Sequence, residues 1–147
     1  MSPDVMVALA TFALVLITGI AGLLSLRGLR EQLWLVTFTE YTRRYSEIMD
    51  ALPFEARRPG GQFDLEALPA DERDRALGAM RKYLNLSSEE LYLHNRAKID
   101  GETWGIWRTG IRDTLRLPCF RGAWRHLRDE YDFFPEFREF IDSLSAK

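Results

Sequence analysis

The side chains best suited to chemistry in this chain are two histidines, one cysteine and a row of arginines. Glu90 lies four residues before His94, and His126 lies four residues before Glu130. On facing helices, two such pairs would supply four ligands to a transition metal. However, the helical di-iron pattern spaces Glu and His three apart, and Glu and His four apart are ordinary neighbours on a solvated helix face. We therefore predict no metal site.

Cys119 is the only cysteine, and it follows Pro118 near a predicted helix start, where a thiolate would be stabilised. A nucleophilic cysteine also needs a positioned base, and the sequence places neither histidine beside it. A free cysteine is more often a small buried apolar residue. The chain also lacks a glycine-rich phosphate loop and a strand–turn–helix serine. We therefore expect no catalytic residue and no cofactor, and we interpret the protein as a non-enzyme.

The most ordered polar pattern is a row of arginines at helical spacing. Its members are Arg108, Arg112, Arg116, Arg121 and Arg125. Such a row can bind an anionic surface such as the lipid headgroups of an inner leaflet, an acidic partner or nucleic acid. The interpretation that we favour from sequence is a solvated face whose charges pair with the acids that follow it. These acids are Asp129, Glu130, Asp132 and Glu136. Because the formal net charge is only -2, we expect no nucleic-acid partner.

An apolar run, Val5–Leu26, contains no charged residue and precedes all of these side chains. A helix rises about 1.5 Å per residue, so about 20 residues cross the ~30 Å hydrocarbon core of a bilayer. A cleaved signal peptide would need a basic start, a shorter apolar core and a small-residue cleavage site. Residues 1–4 carry no basic side chain. We therefore predict a retained transmembrane helix.

The charges beside this run predict its orientation. Asp4 precedes the run, and four arginines follow it: Arg27, Arg30, Arg43 and Arg44. An excess of basic residues marks the cytoplasmic flank of a span. A lone cysteine also suits a reducing compartment. We therefore predict a single-pass protein of the bacterial inner (plasma) membrane, with its N-terminus outside and its C-terminal domain in the cytoplasm.

The remaining chain is predicted to be helical. Apolar residues recur every three or four positions up to Leu52, and Pro53 ends that pattern. Helix starts are expected near Asp71, at Asp100, at Pro118 and at Pro135. Ser87 with Glu90 either caps a separate helix or lies inside one long helix. Three tryptophans at helical spacing are expected to face the core: Trp104, Trp107 and Trp124.

These elements give an all-α fold, with one N-terminal transmembrane helix followed by a small cytoplasmic helical bundle. The predicted segments are a short outward N-terminus (1–4), a transmembrane helix (5–26), a juxtamembrane amphipathic helix (27–52), a docked linker (53–69) and a helical domain (70–147). The linker is punctuated by Pro59-Gly60-Gly61 but is too apolar to be a free tether.

A series of aromatic motifs runs from about Arg81 to Leu144. It includes Tyr83-Leu84-Asn85, Pro118-Cys119-Phe120 and Glu136-Phe137-Arg138-Glu139-Phe140-Ile141. In these motifs the chain resembles the DUF4760-like set of small bacterial membrane-anchored helical proteins of unknown function. The resemblance implies an N-terminal span and a helical domain. It implies no activity and no site residue.

These features predict a membrane-tethered, non-enzymatic interaction or regulatory module. Its expected partners are the lipid bilayer, a protein of unknown identity and, through the arginine row, anionic headgroups. The alternative is an accessory single-span subunit of a larger integral membrane complex, in which the span packs against other spans. The two differ because an accessory subunit would co-purify with fixed partners in mild detergent.

Overall fold

The computed structural model of the chain describes residues 2–58, 60 and 63–145, and every element in those ranges is helical. Six α-helices follow one another: α1 (Pro3–Asp50), α2 (Phe54–Arg57), α3 (Ala70–Asn95), α4 (Gly101–Leu115), α5 (Pro118–Leu127) and α6 (Pro135–Ser145). A 3-10 turn, Arg128–Tyr131, joins α5 to α6. The all-α class predicted from the periodicity is confirmed for the described part of the chain.

Helix α1 is 48 residues long and includes the predicted span. It is the one described helix long and apolar enough, by length and composition, to cross a membrane. None of its most apolar 18-residue window is buried within the protein. The chain divides into two compact units, Met1–Glu40 and Tyr41–Lys147, so the last turns of α1 belong to the second unit.

The core of the second unit is formed by the apolar stripes of α3, α4, α5 and α6. Met80 of α3, Phe120 of α5 and Phe137 of α6 are each no more than 1 % exposed. The Tyr83 and Phe120 rings meet edge to face, with 5.1 Å between their centroids. Such stripes bury one helix face and leave the other to charged residues, which is why the arginines of α4 and α5 remain outside.

The C-terminal turns of α1 pack on α3 within this unit. The Arg44 guanidinium donates two hydrogen bonds to the Glu89 carboxylate, at 2.7 and 3.0 Å. Tyr41 stacks on Trp107 with 4.9 Å between ring centroids, and Ile48 is buried. The apolar spacing predicted up to Leu52 therefore serves as a packing face in this part of α1.

Three local signals in the sequence are explained by the structure. The Asp100 carboxylate caps α4 by accepting from the Thr103 N–H at 2.8 Å. Pro118 occupies the first turn of α5, where a backbone N–H would have no acceptor within the helix. Ser87 is fully buried inside α3, which therefore runs as one long helix. The alternative of a separate helix capped by Ser87 is wrong, because that side chain packs in the core.

The predicted linker includes one short helix, α2. Ala56 is buried, and its carbonyl accepts a hydrogen bond from the Cys119 thiol at 2.9 Å. Leu65 is also buried, which agrees with a docked segment. Phe54, one of the apolar residues of this linker, is instead 66 % exposed, whereas Ala56 lies inward. Residues 59 and 61 of the predicted turn, and residue 62 after it, lie outside the described residues.

Candidate functional site

The arginine row is carried by two consecutive helices. Arg108, Arg112 and Arg116 are spaced by four along α4 and its C-cap, so they fall on one side of that helix. Arg121 and Arg125 repeat the spacing on α5. Four of the five side chains are exposed, and Arg112 is half-buried. The apolar stripes of α4 and α5 position the row by holding the opposite faces in the core.

The row forms two surface depressions. The first has a volume of about 570 Å³ and lies between α4 and α6, where the three α4 arginines meet Ser143 and Leu144. The second, of about 460 Å³, is lined by Pro118, Arg121, Trp124 and Arg125. The sequence predicted one continuous row; the structure divides it into a group of three arginines and a group of two.

Only part of the row is neutralised by nearby acids. Asp113 pairs with Arg112 at 3.0 Å and with Arg116 at 3.7 Å. Arg108, Arg121 and Arg125 have no acidic side chain within 4.0 Å in the described ranges 2–58, 60 and 63–145. Within the part of the chain that the structure describes, these three exposed charges therefore have no acidic partner at salt-bridge distance.

Two of the four acids expected to neutralise the row are engaged elsewhere. Glu130 accepts two hydrogen bonds from Arg81, at 2.6 and 2.8 Å, and Asp132 pairs with Arg138. The Arg81 guanidinium holds the pKa of the Glu130 carboxyl below its usual value. These two acids therefore pair with Arg81 and Arg138, and not with the arginines of α4 and α5.

Arg128 continues the arginine spacing but has a different role. Its guanidinium binds the Asp142 carboxylate with a closest distance of 2.6 Å. Asp142 also accepts a hydrogen bond from the Trp124 indole N–H at 2.8 Å. Arg128 lowers the pKa of the Asp142 carboxyl, with a smaller contribution from Trp124. This cluster joins the end of α5 to α6, so Arg128 is a structural residue.

The side chains considered for a metal are dispersed over the unit. The His94 ring stacks on Trp104 with 4.5 Å between centroids, whereas His126 pairs with Glu66 at 2.8 Å. Glu130 is held by Arg81. No group of three or more potential metal ligands occurs among the residues whose placement is described.

Cys119 is 2 % exposed, and burial raises the pKa of its thiol to about 11. A thiol in this environment is protonated at neutral pH and is a poor nucleophile. Its proton is donated to the Ala56 carbonyl, as described above. The interpretation of Cys119 as a small buried core residue agrees with this geometry.

Two of the three tryptophans are buried as expected. Trp104 and Trp124 are 9 % and 4 % exposed. Trp107 is only half-buried, because its ring lies at the edge of the core against Tyr41 of α1. Its placement shows that the end of α1 completes the aromatic core of the second unit.

Sequence reasoning missed a buried carboxyl group on α3. Glu90 is 8 % exposed and lies on the inner side of the helix with Ser87 and Tyr83. The Ser87 hydroxyl oxygen is buried without a hydrogen-bond partner in the part of the chain that is described. Burial raises the pKa of the Glu90 carboxyl to about 8, the Arg44 charge opposes this, and the Glu89 charge adds to it. A signal was present, because Tyr83, Ser87 and Glu90 share one helix face at spacings of four and three.

The chain matches no known family model, no curated protein and no solved structure. The resemblance to the DUF4760-like set remains a prediction.

Proposed function

We propose that the protein is a non-enzymatic helical module held at the bacterial inner membrane by α1, and that the arginine row contacts anionic phosphate headgroups. The N-terminus lies outside and the helical unit lies in the cytoplasm in this proposal. Arg27 and Arg30 directly after the apolar run, with Asp4 before it, support that orientation.

The observation that carries the proposal is that Arg108, Arg121 and Arg125 have no acidic side chain within 4.0 Å among the described residues. Arg81 and Arg138, in contrast, each pair with an acid. A guanidinium presents a planar fork of donors that matches a phosphate group, and it stays charged at all physiological pH values. Two depressions, each lined by at least two arginines, offer such groups a place to bind.

The test uses the full chain in nanodiscs of neutral lipid, mixed with sucrose-loaded vesicles that contain phosphatidylserine. We expect the nanodiscs to sediment with these vesicles at low salt, because each arginine near an anionic surface contributes about 1 kcal/mol. Changing Arg108, Arg121 and Arg125 together to Gln should weaken this association about 100-fold. Raising the salt from 0.1 M to 1 M shortens the Debye length from about 10 Å to about 3 Å and should also release the nanodiscs.

A matched control removes the same charge elsewhere. Arg58, Arg75 and Arg96 are exposed and lie outside the row, so changing all three to Gln should leave most of the binding. Vesicles of phosphatidylcholine alone should not bind. If both triple variants lost binding equally, net charge alone would explain the binding. That result would contradict a specific role for the row.

A further inference from the structure

We propose that the depression between α4 and α6, called here the α4–α6 cleft, binds a polyol that carries two phosphate groups, either as a free molecule or as a lipid headgroup. Its volume of about 570 Å³ is that of a small-molecule site. Its polar side chains are three guanidiniums, Arg108, Arg112 and Arg116, and two hydroxyls, Thr109 and Ser143. The inference rests on the proposed function, because these arginines belong to the row that contacts phosphate in that proposal.

The α4–α6 cleft has an excess of positive charge within the described part of the chain. None of its described lining residues is acidic. Asp113 pairs with Arg112 at 3.0 Å and with Arg116 at 3.7 Å, so two guanidiniums share one carboxylate. Arg108 adds a third guanidinium without an acid at salt-bridge distance among the described residues. Guanidiniums bind phosphate oxygens through paired N–H donors, so this excess suits a phosphorylated ligand.

The helix dipole does not account for all three arginines. Basic residues are favourable in the last turn of a helix, where they offset the negative end of its dipole. Arg112 lies in the last turn of α4, and Arg116 is its C-cap. Arg108, in contrast, is about two turns before the end of α4, beyond the reach of that effect. Stabilisation of the helix end therefore does not explain the third guanidinium of the cleft.

The spacing of the arginines favours a ligand with two phosphate groups. Successive members are four residues apart, which is about 6 Å along α4, so Arg108 and Arg116 are about 12 Å apart along the axis. A single phosphate group forms a bidentate contact with one guanidinium or bridges two neighbouring ones. Two phosphate groups joined by a short carbon chain can engage all three.

The two hydroxyls indicate what joins the phosphate groups. The Thr109 hydroxyl donates to the Gly105 carbonyl at 2.8 Å, and the Ser143 hydroxyl donates to the Phe140 carbonyl at 2.7 Å. Each hydroxyl proton is used within its own helix, so the oxygen has only acceptor capacity left. An ionised phosphate offers these oxygens no proton, whereas an alcohol does. The cleft therefore combines donors for phosphate groups with acceptors for hydroxyl groups, which is the complement of a phosphorylated polyol.

Isothermal titration calorimetry of the full chain in nanodiscs of phosphatidylcholine tests the cleft with soluble probes. Fructose 1,6-bisphosphate should bind at least about tenfold more tightly than fructose 6-phosphate, which has the same carbon skeleton and one phosphate group fewer. Changing Arg108 and Arg116 together to Gln should weaken binding of the bisphosphate at least about tenfold. The matched control changes Arg58 and Arg75, which are exposed and outside the row, and should alter it less than about twofold.

A second pair of substitutions leaves every charge in place. Thr109→Val combined with Ser143→Ala removes both acceptor oxygens, and it should weaken binding of fructose 1,6-bisphosphate about fivefold or more. Pyrophosphate has two phosphate groups and no hydroxyl, so its binding should not change in this variant. This difference separates recognition of the polyol from attraction by charge alone.

Vesicles distinguish the two sources of the ligand. The cardiolipin headgroup has two phosphate groups joined by a glycerol with one free hydroxyl. We compare sedimentation of the nanodiscs with cardiolipin vesicles and with phosphatidylserine vesicles of equal charge. A preference for cardiolipin that is lost on changing Arg108 and Arg116 to Gln would assign the cleft to a lipid headgroup. Equal sedimentation, with binding of fructose 1,6-bisphosphate retained, would assign it to a free molecule.

Several results would overturn the inference: equal affinity for the two fructose phosphates, equal loss in the two arginine variants, or unchanged bisphosphate binding in the variant at positions 109 and 143. Absence of both bisphosphate binding and a cardiolipin preference would also overturn it. A chain that binds fructose 1,6-bisphosphate but sediments with no anionic vesicle would contradict the proposed function and support the cleft as a site for a free ligand.

Discussion

Replacing Trp124 with alanine is expected to lower the free energy of unfolding of the second unit by about 4 kcal/mol. The Trp124 ring is 4 % exposed and lies 5.7 Å from Tyr131 and 6.1 Å from Phe137 between ring centroids. The substitution would leave a large cavity and would also remove the indole donor from Asp142. An ordinary domain has only about 5–15 kcal/mol of stability, so the loss is severe.

Chemical denaturation of the full chain in mild detergent, followed by circular dichroism, measures this effect. Phe133 is the control, because its ring is 78 % exposed and Phe133→Ala should change the free energy of unfolding by less than about 0.5 kcal/mol. Similar midpoints for Trp124→Ala and the parent chain would show that the α5–α6 packing described above is wrong.

Replacing Glu90 with glutamine is expected to stabilise the protein at neutral and alkaline pH. The folded-state pKa of Glu90 is raised from 4.5 to about 8, chiefly by burial. Between these values the folded protein keeps a proton that the unfolded chain has released. Stability therefore falls as pH rises from about 5 to 8, by about 1.4 kcal/mol per pH unit from this group. Glutamine resembles the protonated acid and does not titrate, so Glu90→Gln should remove this loss, which is roughly 3 kcal/mol at pH 7.

The groups around Glu90 define the control. Arg44 faces Glu90 from α1, Glu89 adjoins it on α3, and Tyr83 lies two turns before it on the same face. Arg44 lowers the pKa of the Glu89 carboxyl, so Glu89→Gln should destabilise the protein at neutral pH and leave the alkaline loss in place. We expect unfolding curves at pH 5 and pH 8 to separate the two variants. A parent chain equally stable at both pH values would contradict the buried carboxyl.

The sequence predicted the helices well where local chemistry decides them. Asp100 with Thr103 and Pro118 at its helix start act within one turn, so their meaning is readable without tertiary context. The apolar run of α1 was equally readable, because length and composition decide it.

Other features depend on what packs against a residue. Whether Ser87 caps a helix or lies inside one is decided by the core that buries it. The spacing of Tyr83, Ser87 and Glu90 puts them on one helix face, but whether that face is buried depends on the elements that pack against α3. Whether nearby acids neutralise the arginine row depends on long-range pairs, because Glu130 binds Arg81, 49 residues away, and not an arginine of the row. Sequence spacing could identify the row but not which of its members lack an acidic neighbour.

A pair of reporter fusions at the C-terminus tests whether α1 spans the membrane and holds the helical unit in the cytoplasm, as we propose. Alkaline phosphatase folds to an active enzyme only outside the cytoplasm, whereas green fluorescent protein becomes fluorescent inside it. We expect the green fluorescent protein fusion to be fluorescent and the phosphatase fusion to be inactive, with both fusions in the membrane fraction and resistant to carbonate extraction. An active phosphatase fusion together with a dark fluorescent protein fusion would place the helical unit outside the cytoplasm and would contradict the proposed topology.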